Sequence, residues 1–293
     1  MFASDNPKLI NIIVLYLLTG VGVIFISHIC SAQENSTNLT KIDFSLCESD
    51  IAETVLSLKT NNPSKTAELF RQKMPPPTID TKFRKKIIEG LPSFVEKLRV
   101  HDEILAMKLK LLMDPILSFY SRDKVYEIII IRHDTPFLMS DSGVVLVIST
   151  GLINETQNDD ELLGFLAHEV GHEYFQKYSI YSKHLLSLVE ENGKEKALTR
   201  HLSAFLLILE AQCDAFAAIT LSHLKYNPIA MANFLERTAK KFPHHSSDSH
   251  PSDSIRRNII SKVIPSSFLV KESKISLQLV SLQKQSMAVA KNN

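Results

Sequence analysis

The chain has little cysteine and no excess of charge of either sign. Its 293 residues include three cysteines, and 33 basic side chains are balanced by 32 acidic ones, for a formal net charge of +1. Three cysteines without a CxxC spacing exclude a disulfide framework and disfavour a thiolate zinc site. The even charge balance argues against a protein built to bind nucleic acid, which usually carries a strong basic excess.

The composition is otherwise that of a globular protein. With 44% hydrophobic and 22% charged residues, the chain can bury a core. The cysteines leave two alternatives open. Cys47 and Cys213 form one bridge if Cys30 is removed with a signal peptide, or both are unpaired thiols. The second interpretation is favoured because Cys213 lies in an apolar helical stretch.

An apolar run at residues 9–30 precedes the rest of the chain. It fits either a cleaved signal peptide or a retained membrane anchor. The small residues around Ala32 resemble a cleavage site, and the run is just long enough to cross a bilayer. In both cases we expect an extracytoplasmic protein, either periplasmic or secreted, or one that residues 9–30 anchor to the membrane.

Apolar periodicity predicts an α+β domain dominated by helix, because helices precede and follow a small sheet. The predicted helical stretches are 44–74 with a break, 81–113, 158–179, 197–224, 228–239 and 274–290. Two runs rich in β-branched residues predict strands at 125–134 and 143–150, joined by a plain connection. Residues 242–254 are predicted to form a loop.

A short motif, HEVGH at residues 168–172, has the spacing of a metal-binding helix. On an α-helix, His168 and His172 lie one turn apart on one face, so both rings can approach a single ion. Glu169 is offset by one residue and points beside that ion, where it can accept a proton from water. Five-residue patterns of this kind also arise by chance, so the motif needs support from elsewhere.

The helical stretch Leu202–Leu221 supplies that support. Its only charged residues are Glu210 and Asp214, which are four positions apart and share one face. Burying carboxylates in so apolar a helix is costly unless they pair with a cation. We therefore expect Glu210 to be the third metal ligand and Asp214 to hold the far ring nitrogen of a ligand histidine. The alternative is that both acids pair with lysine or arginine from elsewhere.

Three motifs in order, HEVGH, EAQCDAFAA and SHPSDSIRRNI, resemble those of the M48 family of zinc metallopeptidases. The segment before the first motif, VVLVISTGLIN, is also similar to the family's pattern, so the resemblance covers roughly residues 115–260. It implies a zincin-like α+β fold, predominantly helical, with a small β-sheet and an active-site HExxH helix.

The resemblance also implies roles for the matching residues. His168, His172 and Glu210 would bind one zinc ion per chain, Glu169 would be the general base, and Asp214 would support a ligand histidine.

The family's third motif, a His-Pro pair followed by an arginine, matches His250, Pro251 and Arg256 here. The resemblance places His250 and Arg256 near the cleft, where they would stabilise the oxyanion or order the site. The alternative for His250 is a loop histidine without a role.

Four segments are predicted along the chain. They are a signal peptide or membrane anchor at 1–32, a helical N-terminal region at 33–114, an M48-like metallopeptidase domain at 115–265 and a C-terminal helix at 266–293.

The predicted function is that of a zinc-dependent metalloendopeptidase that hydrolyses polypeptides outside the cytoplasm. Quality control of misfolded or membrane-associated proteins is the biological role that the resemblance suggests. We expect an unfolded substrate to add as a further strand along an exposed edge of strand 143–150. One alternative is a non-catalytic, zinc-containing protein that binds polypeptides or acts like a chaperone. Another is a membrane-anchored helical scaffold in which HExxH occurs by chance.

Overall fold

The computed structural model describes residues 58–77, 80–123, 126–178, 195–242, 251 and 253–265. Helices make up most of these ranges, and three strands lie between the fourth and fifth helices, which confirms the predicted α+β architecture. The helices are α1 (Pro63–Lys73), α2 (Thr81–Glu89), α3 (Ser93–Lys97), α4 (Glu103–Phe119), α5 (Thr150–Glu155), α6 (Asp159–Tyr178), α7 (Glu195–His223), α8 (Ala230–Thr238) and α9 (Asp253–Val263).

Some predicted features lie outside the described residues. These are the apolar run 9–30, Cys47 and the predicted helix 274–290. Within the ranges that are described, no helix combines the length and apolar character needed to cross a bilayer. Cys213 is a buried free thiol, as the favoured interpretation of the cysteines predicts.

The sheet has the strand order β1-β3-β2. Strand β1 (Glu127–Ile131) runs parallel to β3 (Val145–Ser149), and β2 (Leu138–Asp141) runs antiparallel to it. Both predicted strands are therefore present. All five residues of β3 are buried, which accounts for its unbroken run of apolar side chains.

Strand β2 lies in the segment that the sequence predicts as a plain connection, and that prediction is wrong. A tight turn reverses the chain, because the Val144 amide donates to the Asp141 carbonyl at 2.8 Å. Ser142 and Gly143 at the centre of the turn have φ angles of 52° and 65°. Positive φ at both central positions gives a type I′ turn, whose twist suits an antiparallel pair of strands.

The position of β2 also corrects the expected substrate edge. Strand β3 pairs with a strand on each side, so it cannot accept a further strand. Strand β2 is at the edge of the sheet and packs against α6.

The helices that follow the sheet are predicted more accurately than the others. The bounds of α6, α7 and α8 agree with prediction to within two residues. The predicted stretch 81–113 is three helices instead, because Gly90 ends α2 and Pro92 precedes α3 with no amide to continue a helix. Helix α9 was not predicted, and it places Ile259, Ile260 and Val263 in the core.

Helix α6 begins with a capped first turn. The Asn158 side chain accepts a hydrogen bond from the Glu161 amide at 3.1 Å, which satisfies one of the free amides of the first turn. Asp159, Asp160 and Glu161 form an acidic first turn, which suits the positive end of the helix dipole.

Helices α6 and α7 cross at close range. The crossing passes over Gly171, where an added Cβ would lie 3.3 Å from the Cα of Cys213 and 3.3 Å from the Phe216 ring. Glycine in the HEVGH motif therefore lets the two backbones approach. Helices α1 and α9 pack on α7, and α4 and α8 pack on α6, so the crossing lies at the centre of the described core.

A buried arginine joins the end of α6 to the rest of the domain. The Arg122 side chain is 1% exposed, and its Nε donates to Glu173 Oε2 at 2.9 Å. Its other nitrogens donate to the carbonyls of Tyr120 and Pro75, and the Tyr126 hydroxyl donates to Glu173. Glu173 directly follows His172, so this cluster holds the helix just beyond HEVGH.

We expect Arg122→Met to lower the free energy of unfolding by about 3 kcal/mol, because it leaves the Glu173 carboxylate nearly buried without its cation. The matched control is Arg257→Met, which breaks an ion pair with Glu236 whose side chains are 50% and 59% exposed. That control should cost less than about 1 kcal/mol. Urea unfolding measures both, and equal losses would contradict the role assigned to Arg122.

Candidate metal centre

Two helices bring three potential metal ligands together. His168 and His172 lie one turn apart on α6, and Glu210 faces them from α7. His168 Nε2 is 3.0 Å from Glu210 Oε2, His172 Nε2 is 3.5 Å from Glu210 Oε1, and the two Nε2 atoms are 3.2 Å apart. One ligand atom from each residue falls within 4.8 Å of the others.

All three side chains are buried. The exposed fractions are 4% for His168, 8% for His172 and 2% for Glu210. Two ring nitrogens and a carboxylate oxygen thus converge in an interior where charge is costly unless it is compensated. The sequence predicted this convergence from residues that lie 38 to 42 positions apart, since 210 − 172 = 38 and 210 − 168 = 42.

Asp214 holds His168 from the side of the ring opposite to this convergence. Its Oδ1 lies 2.8 Å from His168 Nδ1, and its own exposure is 0%. Since a carboxylate only accepts, Nδ1 carries the proton and Nε2 is left as the ligand atom. The structure therefore places Asp214 where the sequence predicts it.

Arg256 forms a two-point contact with Asp214. Its Nε donates to Oδ2 at 2.8 Å and its Nη2 donates to Oδ1 at 2.7 Å. Burial alone would raise the pKa of Asp214, but the guanidinium outweighs burial and holds that pKa below its ordinary value. The alternative considered for the two acids thus applies in part, because Asp214 pairs with an arginine as well as with His168.

The position of Arg256 distinguishes between its two implied roles. Nη2 lies 3.5 Å from His168 Nδ1, on the side of the ring away from Nε2. This position suits a residue that orders the site better than one that meets an oxyanion beside the ligand atoms. His250 lies outside the described residues, so its role stays a prediction.

The surroundings of His168 favour a positive charge. Burial lowers its pKa, but hydrogen bonds to Asp214 and Glu210 outweigh burial and raise that pKa to about 10. In the absence of a metal ion, the ring therefore favours a second proton, on Nε2 facing Glu210, in addition to the one on Nδ1. A metal ion that binds at Nε2 has to replace this proton, as metal ions generally do at protein sites.

The donor set fits zinc. Two imidazole nitrogens and one carboxylate oxygen, with a fourth position open, form a ligand set that catalytic zinc sites use. Calcium and magnesium prefer sites made of oxygen atoms alone, which this cluster does not offer. His168, His172 and Glu210 are therefore the residues that would hold the ion.

Glu169 lies beside the cluster and contacts the sheet. Its Oε2 accepts a hydrogen bond from the Ser140 amide at 2.9 Å and another from the Ser140 hydroxyl at 2.9 Å. The sequence alone does not indicate Ser140, because its pattern predicts a connection in this segment. No spacing rule links a strand residue to a helix residue 29 positions later, so the contact becomes visible only once β2 is placed.

A helix that carries two histidines four positions apart, with a glutamate after the first, is a pattern that binds zinc in metalloproteases. Residues 104–193 match the family model of peptidase family M48. This match confirms the resemblance found in the motifs over these residues. No curated protein sequence matches the chain.

The match covers the sheet and α6, but it ends before α7, which carries the acidic residues of the site. His168, Glu169 and His172 lie within it, whereas Glu210 and Asp214 lie beyond residue 193. The assignment of the last two residues therefore rests on the geometry of α7 against α6.

We expect the parent protein to bind about one zinc ion per chain and the Glu210→Ala variant to retain little, because one of three ligands is lost. The matched control is Glu161→Ala, since Glu161 is also 2% exposed but pairs with Arg237 in the first turn of α6, away from Glu210 in the chain and outside the ligand cluster. Elemental analysis of the purified proteins measures the zinc content. Full zinc in Glu210→Ala, or equal loss in Glu161→Ala, would show that Glu210 is not a ligand.

Proposed function

We propose that the protein is a zinc-dependent metalloendopeptidase. The observation that carries this proposal is the convergence of His168, His172 and Glu210 beside Glu169, in a domain that matches M48 peptidases. A zinc ion held by these three ligands supplies a Lewis acid that polarises the scissile carbonyl and lowers the pKa of a water molecule.

Glu169 is the residue that moves the proton. It directly follows His168, so its carboxylate lies beside the ligand atoms and not among them. In this position it accepts a proton from the attacking water and passes it to the leaving amine, as a general base and then a general acid.

Asp214 and Arg256 orient the His168 ring. Asp214 fixes the proton of His168 on Nδ1, and Arg256 holds the Asp214 carboxylate at both oxygens. Loss of contacts that orient a metal ligand commonly reduces metal affinity or activity by roughly 10-fold to 100-fold.

The edge strand β2 is where a substrate would dock. The Ser149 amide donates to the Phe137 carbonyl, so residue 137 points its backbone groups at β3. By alternation, Leu138 and Ser140 point theirs away from β3. The Ser140 amide already donates to Glu169, so an extended peptide would pair with the outward groups that remain, those of Leu138 and the Ser140 carbonyl. It would be recognised mainly through its backbone, which suits an enzyme that accepts unfolded polypeptides.

We extend the proposal to an extracytoplasmic location and a role in protein quality control. The apolar run 9–30 and the family resemblance support it. Fractionation of cells that express the full chain tests the location. Recovery in the cytosol, with residues 9–30 intact, would contradict it. The predicted division of the chain into four segments stays a prediction.

The central experiment compares the zinc-loaded parent with its Glu169→Gln variant on an unfolded protein substrate such as casein. We expect the parent to produce internal fragments and the variant to cut at least about 100-fold more slowly, because the proton acceptor is lost. Zinc content and thermal stability should be unchanged. The control is Glu236→Gln, which alters an exposed glutamate of α8.

The outcomes also separate the alternatives. Cutting that persists in Glu169→Gln would show that another group is the base. A zinc-loaded parent that binds casein without cutting it would instead favour the non-catalytic binding protein. A folded parent that binds no zinc would favour the remaining alternative, a membrane-anchored helical scaffold in which HExxH occurs by chance.

A further inference from the structure

The carboxylate of Glu169 is held by a single residue of the sheet. Every hydrogen bond that the described residues make to this carboxylate goes to Oε2, and both donors belong to Ser140. The Ser140 hydroxyl also lies 3.5 Å from the Glu169 main-chain carbonyl. One serine thus contacts both the side chain and the backbone of the glutamate.

Two hydrogen bonds on one oxygen restrict a side chain that would otherwise rotate freely. Glutamate has several rotatable bonds, and fixing them by side-chain packing alone is difficult at a half-buried position such as this one. Hydrogen bonds to an ionised group are about twice as strong as those between neutral groups. Ser140 therefore restrains Oε2, while Oε1 remains for a proton.

The location of Ser140 adds a second argument. Its amide and carbonyl both point outward from β2. The amide donates to Glu169, which leaves the carbonyl along the edge where a peptide would pair. The residue that holds the carboxylate is therefore part of the edge that would hold the substrate.

We propose that Ser140 is a positioning residue for Glu169, and that its hydroxyl and amide together fix the general base against the substrate-binding edge. This inference rests on the proposed peptidase function. Ser140 lies outside the three motifs, in a strand that the sequence did not predict.

The first test measures peptide hydrolysis by the zinc-loaded protein. We expect Ser140→Ala to lower kcat about tenfold while KM stays within about twofold, because one of the two donors to the base is lost and the docking edge is kept. Ser140→Thr keeps a hydroxyl and should retain at least about half of the parental kcat. Zinc content should be the same in all three proteins.

The matched control is Ser118→Ala. The Ser118 hydroxyl also donates to a carboxylate, that of Asp114, at 3.1 Å on the exposed face of α4. This variant should leave kcat unchanged. An unaltered kcat in Ser140→Ala, or an equal loss in Ser140→Ala and Ser140→Thr, would overturn the positioning role.

The second test needs no activity. In the metal-free protein, urea unfolding compares the parent, Ser140→Ala, Glu169→Ala and the double variant. We expect Ser140→Ala to change the unfolding equilibrium constant at least about fivefold more in the parent than in the Glu169→Ala background, because the contact exists only when both residues are present. Changes that are additive within about twofold would overturn the contact.

The two tests separate this inference from the function on which it rests. If the effects of the two substitutions on unfolding are additive and the protein still cuts peptides, the role of Ser140 is rejected and the peptidase function stands. Coupled unfolding of the metal-free protein, together with no cutting by the zinc-loaded protein, would uphold the restraint on Glu169 and reject the peptidase function.

Discussion

The site depends on the compensation of two carboxylates that α7 buries against α6. Glu210 and Asp214 are each at most 2% exposed, and an uncompensated charge at such depth is strongly destabilising. Asp214 meets a guanidinium and an imidazole, whereas Glu210 faces the Nε2 atoms of both histidines. A cation bound by His168, His172 and Glu210 would lie beside the Glu210 carboxylate, so charge balance and the proposed chemistry would call for the same ion.

This constraint connects segments that are far apart in the chain. The histidines come from α6, the acids from α7, the guanidinium of Arg256 from α9 and the restraint on Glu169 from β2. Beyond HEVGH, the buried pair of Arg122 and Glu173 holds the next turn of α6. Each element packs on the α6–α7 crossing or on the sheet beside it, so the arrangement of the core also arranges the site.

The sequence predicted those parts of the site that depend on helical periodicity. A spacing of four places two side chains on one face, and the only acids of an apolar helix must find a cation; these rules led to His168, His172, Glu210 and Asp214. Residues that act through tertiary contacts, such as Ser140 and Arg122, carry no periodic signal. Strand β2 was missed because its turn depends on positive φ angles at Ser142 and Gly143, and serine is not a strong signal for such a turn.

The most direct test of the central claim is a crystal structure of the zinc-loaded protein with anomalous data collected at the zinc absorption edge. We predict one strong peak per chain, within about 2.0–2.2 Å of His168 Nε2, His172 Nε2 and an oxygen of Glu210. The Asp214 and Arg256 side chains should keep their present contacts. A peak elsewhere, or a folded and zinc-soaked protein without a peak at these three residues, would contradict the account.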